Sequence, residues 1–315
     1  MEKKLGKATR DAYGQALVEI GKKNPQVVVL DADLSKSTKT ADFGKAFPDR
    51  FFNVGIQEAN LVGVASGLAA SGKIPFISSF ACFLICKGFD QLRMGVSFSE
   101  LNVRVVASHG GISVGEDGAS QMSIEDIALT TTLPHFAVMI PADEVSTRAL
   151  VEQSVSYPGP IFMRTGRPKA PLIYDPNQKF EIGKAIRIRE GRQVSLIATG
   201  LLVFEALQAA EELAQQGISA SVIDVHTIKP LDAKLLVEEA QKTGHIVVCE
   251  EHQIWGGLGS AVSRVLAERH AACPMEFIAI QDTYAESGQP DELFEKYGLT
   301  SKHIVRAANK VLGQM

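Results

Sequence analysis

Glu58 is the residue in this chain best placed to do acid or binding chemistry. Phe51 to Val54 reads as a short strand, and Gly55 permits a tight turn. A helix follows, with Leu61, Val64, Ala65 and Leu68 on one face at i, i+3, i+4, i+7 spacing and Gly72 where it would stop. Glu58 therefore falls in a first helical turn at the carboxyl end of a strand, the edge where open α/β sheets collect ligands. The helix dipole and the unpaired N–H groups of a first turn also favour an acid there with no ligand involved, and spacing alone does not decide between the two.

A second candidate is the run His109-Gly110-Gly111-Ile112-Ser113-Val114-Gly115-Glu116-Asp117-Gly118, which follows a buried strand. It matches neither the dinucleotide fingerprint nor the P-loop. Its glycines let backbone come close to a ligand, or simply form a long turn. Phe80 and Phe83 open the preceding helical stretch at a spacing that suits core packing as well as a ligand face. Arg10, Ser37, His109 and Arg164 are candidates for holding an anion. Arg164 stands out because it ends an otherwise apolar strand, and a guanidinium offers two parallel contacts to phosphate. His226 and His252 read as hydrogen-bonding groups at an interface, and no His/Cys/Asp spacing resembles a zinc site.

The elements that must position these residues alternate regularly. Thr9 to Gly21 predicts a helix with Ala12, Ala16, Leu17 and Ile20 inward. Near-continuous apolar runs predict strands at 27–30, 75–79, 103–107, 136–140 and 161–163, with helices at 42–47, 80–96 and 144–155 between them. Pro168 to Phe180 holds three prolines and no clear period, and reads as a connector. Strands at 194–198, 220–225, 245–249 and 277–280 then alternate with helices at 204–215, 233–241, 259–268 and 301–312. The expected fold is α/β with two domains, each a mostly parallel, doubly wound sheet flanked by helices. The expected division is 1–168, a linker over 169–185, and 186–315.

A chain of 315 residues is long enough for two such domains. The net charge of −4 gives no basic footprint for nucleic acid. Residues 1–7 lack the apolar core of a signal peptide, and no apolar run approaches membrane-spanning length. Cys82, Cys86, Cys249 and Cys273 form no Cys-x-x-Cys pair, so mostly buried free thiols in a reducing cytoplasm are expected.

Gly55-Ile56-Gln57-Glu58-Ala59-Asn60 with Val62-Gly63 resembles the segment in which transketolases place the glutamate that bonds the aminopyrimidine of thiamine diphosphate. His109 through Gly118-Ala119-Ser120-Gln121-Met122 and Glu125-Asp126 resembles the same family's substrate loop, in its animal-type form. Asp90-Gln91-Leu92-Arg93, the run around Arg164, Asp224 to Asp232 and Glu250 to Gly259 are similar to the family in the same order. The resemblance implies a two-carbon ketol transfer from a ketose phosphate to an aldose phosphate, the coenzyme acting as electron sink and Glu58 donating as an acid to its ring. It implies Phe83 stacking on the pyrimidine, Phe80 beside it, and His109, Asp117, Arg10, Ser37 and Arg164 on the sugar phosphate. Cys86 replaces a later aromatic of some members. Gln121 stands where many members carry histidine, and an amide donates a hydrogen bond but does not exchange a proton near neutral pH.

The Gly-Asp-Gly signature with which transketolases hold Mg2+ (or Ca2+) and the diphosphate does not occur in this sequence. The resemblance is therefore to the C-terminal (beta) subunit of a split enzyme of the pentose phosphate pathway. It implies an N-terminal partner subunit that holds the metal, activity only with that partner, and an α2β2 heterotetramer. The beta subunit of a 2-oxo acid dehydrogenase, a deoxyxylulose-phosphate-synthase-like protein, and a non-catalytic assembly subunit are the alternatives.

Overall fold

The structure, a computed structural model, describes residues 3–314; Met1, Glu2 and Met315 lie outside the described residues. The first half runs β1 (Leu5–Ala8), α1 (Thr9–Lys23), β2 (Val27–Asp31), α2 (Ser35–Thr38), α3 (Ala41–Ala46), β3 (Phe51–Asn53), α4 (Glu58–Ala70), β4 (Ile74–Ser78), α5 (Ala81–Gln91), β5 (Arg104–Ala107), α6 (Asp126–Thr132), β6 (Ala137–Met139), α7 (Glu144–Ser154), β7 (Ile161–Arg164) and β8 (Lys169–Pro171). The second runs β9 (Ile186–Arg189), β10 (Val194–Ala198), α8 (Leu202–Gln215), β11 (Ala220–Asp224), β12 (Thr227–Lys229), α9 (Ala233–Thr243), β13 (Ile246–Gln253), α10 (Leu258–Glu268), β14 (Met275–Ile280), α11 (Pro290–Lys296) and α12 (Ser301–Val311). No helix among the described residues is long and apolar enough to cross a membrane.

β2, β5 and β7 are buried at every residue, as expected of parallel strands covered on both faces. Six strands form the parallel sheet β3-β2-β4-β5-β7-β6. The chain goes from β2 to β3 on one side and returns to β4 on the other. The sheet therefore has its switch point at β2/β4, and the crevice beyond those carboxyl ends is where ligands are received. The second sheet is β14-β13-β10-β11-β9, parallel except for β9.

The sheets are not independent. β12, from the second half of the chain, pairs antiparallel with β6 and extends the first sheet. Lys229 Nζ donates to the carbonyls of Thr131 (3.0 Å) and Leu133 (2.5 Å), fixing that edge. The connector is tied to both sides: Asp143 Oδ2 accepts the N–H groups of Ile173 and Tyr174, and the Tyr174 hydroxyl donates to Asp224 at 2.6 Å.

Two expectations are corrected. On α4 the inward residues are Leu61, Val62 and Ala65, while Val64 is 38% exposed. Val62 points inward because α5 presents Gly88 to it; a Cβ on Gly88 would lie 3.1 Å from Val62. The predicted helix at 80–96 is α5 from Ala81, with a wider π-helical turn over Leu92–Ser97.

The domain junction centres on Arg164, which is not a free anion holder. It is 5% exposed; its Nη2 donates to the carbonyls of Ser123 (3.1 Å) and Glu251 (2.9 Å), and its Nε lies 3.4 Å from Asp126. Gly110 and Gly111 exist to admit it. A Cβ on Gly110 would lie 1.9 Å from Arg164 Nε, and one on Gly111 2.2 Å from the Glu251 carboxyl. The glycine pair thus makes room for the Arg164 side chain and the Glu251 carboxyl.

Gly111 and Gly217 share nearly the same positive φ, +80° and +79°, but Gly217 has nothing within 4 Å of a Cβ. Gly217→Ala is expected to lose about 1 kcal/mol from left-handed strain, and Gly111→Ala a further 1–3 kcal/mol, roughly, from overpacking. Urea denaturation measures both; equal losses would contradict the junction geometry.

Candidate functional site

Four carboxyl-edge segments converge on one stack of rings. Glu58 opens α4 with its side chain 3% exposed. The Ser79 hydroxyl, just after β4, donates to Glu58 Oε1 at 3.4 Å, and Lys87 Nζ lies 3.7 Å from Oε2. Phe80 and Phe83 stack at 5.6 Å between centroids, and Phe80 stacks on the His109 imidazole at 3.7 Å. Phe83, Phe80 and His109 thus form a continuous wall leading away from the Glu58 end.

At the far end of that wall is a cationic cluster. Arg10 Nη1 donates to the Ser37 carbonyl at 3.1 Å and lies 3.3 Å from His109 Nε2. With Arg10 the donor, Nε2 accepts, so the proton on His109 is assigned to Nδ1, which donates to Ser108 Oγ at 2.8 Å. His109 is held at φ +62° and is 2% exposed. Burial, then Arg10, then Arg167, push its pKa down to about 3, so the ring is neutral throughout the physiological range. Burial likewise lowers Arg10, whose Nε is buried without a partner among the described residues. A buried, unpaired donor next to a second guanidinium is suited to an anion.

Arg167 is that second guanidinium, and sequence reasoning missed it. It pairs with Glu116 at 2.8 Å, approaches Asp117 at 4.0 Å and donates to the Val114 carbonyl. Its signal was its position: it follows the end of β7 by three residues and so leaves the sheet, whereas Arg164 remains inside it. Asp31 was also missed as a positioning group. Fully buried at the end of β2, it accepts from the hydroxyls of Thr38 (2.7 Å) and Thr40 (2.8 Å) and from the Leu34 N–H (2.6 Å), which fixes the turn carrying Ser37.

Asp117 ends a short helical turn, Gly115–Asp117, and is exposed. Gln121 is half-buried; its N–H donates to the Gly118 carbonyl at 3.1 Å, and the Ser120 hydroxyl donates to its amide oxygen. Cys82 is buried and its thiol donates to the Gln121 carbonyl at 3.3 Å, but Cys86 is exposed, against expectation. His226 and His252 are fully buried. Ala128 N–H lies 3.3 Å from His252 Nε2 across the junction.

A buried carboxylate beside a half-exposed aromatic face suits a flat heteroaromatic ring bearing a basic nitrogen. No group of three or more His, Cys, Asp or Glu suited to a metal ion occurs among the described residues.

The neutral state of His109 is testable by NMR. Its ring resonances are expected not to titrate between pH 8 and 5. Arg10→Met is expected to raise its pKa without restoring the ordinary value, because burial is the larger cause. A midpoint near 6.5, the model-peptide value, would contradict the geometry.

Residues 6–171 match the family described as "Transketolase, pyrimidine binding domain" and residues 183–304 "Transketolase, C-terminal domain". A putative transketolase C-terminal section of Methanocaldococcus jannaschii is 42% identical over 302 residues, covering 95% of each chain. A 6-deoxy-6-sulfo-D-fructose transketolase subunit of a Clostridium species is also 42% identical, covering 96% of this chain and 94% of that one. Human transketolase is 38% identical, and only 49% of it is covered. A solved structure described as split gene transketolase, inactive beta4 tetramer, superposes with a TM-score of 0.92 at 48% identity, covering 98% of this chain and 99% of that one. Matched across both domains, and nearly end to end by relatives that are themselves sections or subunits, the chain belongs to the transketolase family.

Proposed function

We propose that this chain is the subunit of a split transketolase that receives the ring end of thiamine diphosphate and the sugar phosphate, and that it turns over only with an N-terminal partner chain. The observation that carries this reading is the ring wall. It joins a buried acid and aromatic face at one end to paired guanidiniums at the other, along the switch-point crevice. The partner would hold Mg2+ and the diphosphate, in an assembly of two chains of each kind. The split-gene relative supports a divided enzyme. Pentose phosphates are the default substrates.

When bound, the coenzyme supplies the electron sink for breaking and making the carbon–carbon bond. Glu58 holds a proton at the ring nitrogen, and the Phe83 face fixes the ring plane. Neutral His109 accepts from Arg10 and so aims its guanidinium at the phosphate, the Gln121 amide N–H group donates to a sugar oxygen, and Asp117 accepts from a hydroxyl. Arg10 and Arg167, with Ser37, hold the phosphate. Arg167 takes the role first expected of Arg164.

Reconstitution with the partner tests this. Glu58→Gln is expected to lower kcat for ketose–aldose exchange by roughly 10²–10⁴-fold; near-normal turnover would contradict the assignment. Arg167→Met is expected to raise KM for a phosphorylated ketose by roughly tenfold, as loss of a charge-assisted contact does, and to leave an unphosphorylated ketose unaffected. Equal changes for the two sugars would contradict it. Measurable 2-oxo acid decarboxylation in place of exchange would favour the dehydrogenase-type alternative.

A further inference from the structure

One side chain touches both groups that the ring end of the coenzyme needs. Lys87 follows Phe83 by four residues on α5, so the two lie on the same helix face. Its ammonium sits 4.7 Å above the Phe83 ring centroid and 3.7 Å from Glu58 Oε2. The side chain is 56% exposed, whereas that of Glu58 is 3% exposed. The lysine therefore reaches inward from the surface to a buried carboxylate, across the aromatic face beside it.

A flat ring stacked on Phe83 must lie within about 4.5–7 Å of its centroid, the range of aromatic pairs. If it also bonds Glu58, it occupies the space that the ammonium now holds. The two arrangements exclude one another. We propose that Lys87 is a displaceable lock on the ring end of the site, competing with the coenzyme for Phe83 and Glu58 until the ring enters and drives the ammonium to solvent. This rests on the reading of Glu58 and Phe83 as the ring-binding pair.

The chemistry favours a lock of modest strength. An ammonium over an aromatic face and an ion pair with one exposed partner are both weak contacts. The four-carbon stem lets the charged head move to water while the stem stays packed. A permanent positioning role is the competing arrangement, and it predicts the opposite sign for removal of the lysine.

Titration of thiamine diphosphate and Mg2+ into the reconstituted complex, followed calorimetrically, reads that sign. Lys87→Met and Lys87→Gln are expected to tighten binding about three- to tenfold, in keeping with the loss of two weak contacts. Unchanged or weaker binding overturns the lock. A second readout needs no variant. Acylation of Lys87, scored by mass spectrometry against Lys234 (side chain 86% exposed), is expected to speed up severalfold when thiamine diphosphate is added; an unchanged or slower rate overturns it. Glu58→Ala separates the two layers. It is expected to lose coenzyme affinity, and wild-type affinity in that variant overturns the ring-binding reading itself.

Discussion

A buried guanidinium at the end of one strand governs the site. Arg164 faces Asp126, takes the carbonyls of Ser123 and Glu251, and lies among three buried acids: Asp126, Glu250 and Glu251. Burial raises the pKa of each, Glu250 to about 7, and Arg164 acts against that rise in all three. The same burial, with Arg164, pushes His252 down to about 3, so His252 adds no competing positive charge. Removing a single partner from such a cluster strands charge in a low-dielectric interior. The acids come from both domains, so their fixed relation is a consequence of satisfying one cation.

That constraint reaches the surface through the loop above it. Gly110 and Gly111 can lie on Arg164 and Glu251 only without side chains, and the Ser113 N–H bonds Glu251 at 2.6 Å. With the loop pinned from below, His109 is forced into a left-handed conformation and against Phe80. The site is therefore built from the inside out. The junction sets the loop, the loop sets the imidazole, and the imidazole continues the aromatic wall to Arg10.

Much of this was legible because it follows from periodicity. The apolar runs of β2, β4, β5 and β7, and the placement of Glu58 at a helix start, need only strand and helix spacing. The antiparallel β12 was not legible: three residues pairing with a strand nearly ninety positions earlier leave no local signal. Arg164 was misread for a related reason. An arginine ending an apolar strand looks functional, but whether it faces solvent or the other domain depends on Glu251, 87 positions away. Val64 shows the same limit, since the helical period allowed it inward and Gly88 gave that place to Val62.

On the function proposed above, this polypeptide carries the ring end of a coenzyme site and a separate chain carries the other end. The direct measurement is the binding isotherm of thiamine diphosphate with Mg2+ to the chain alone, then to the chain mixed with its N-terminal partner. No saturable binding is expected for the chain alone, and one coenzyme per pair of chains once the partner is present. Stoichiometric, tight binding by the isolated chain would contradict it.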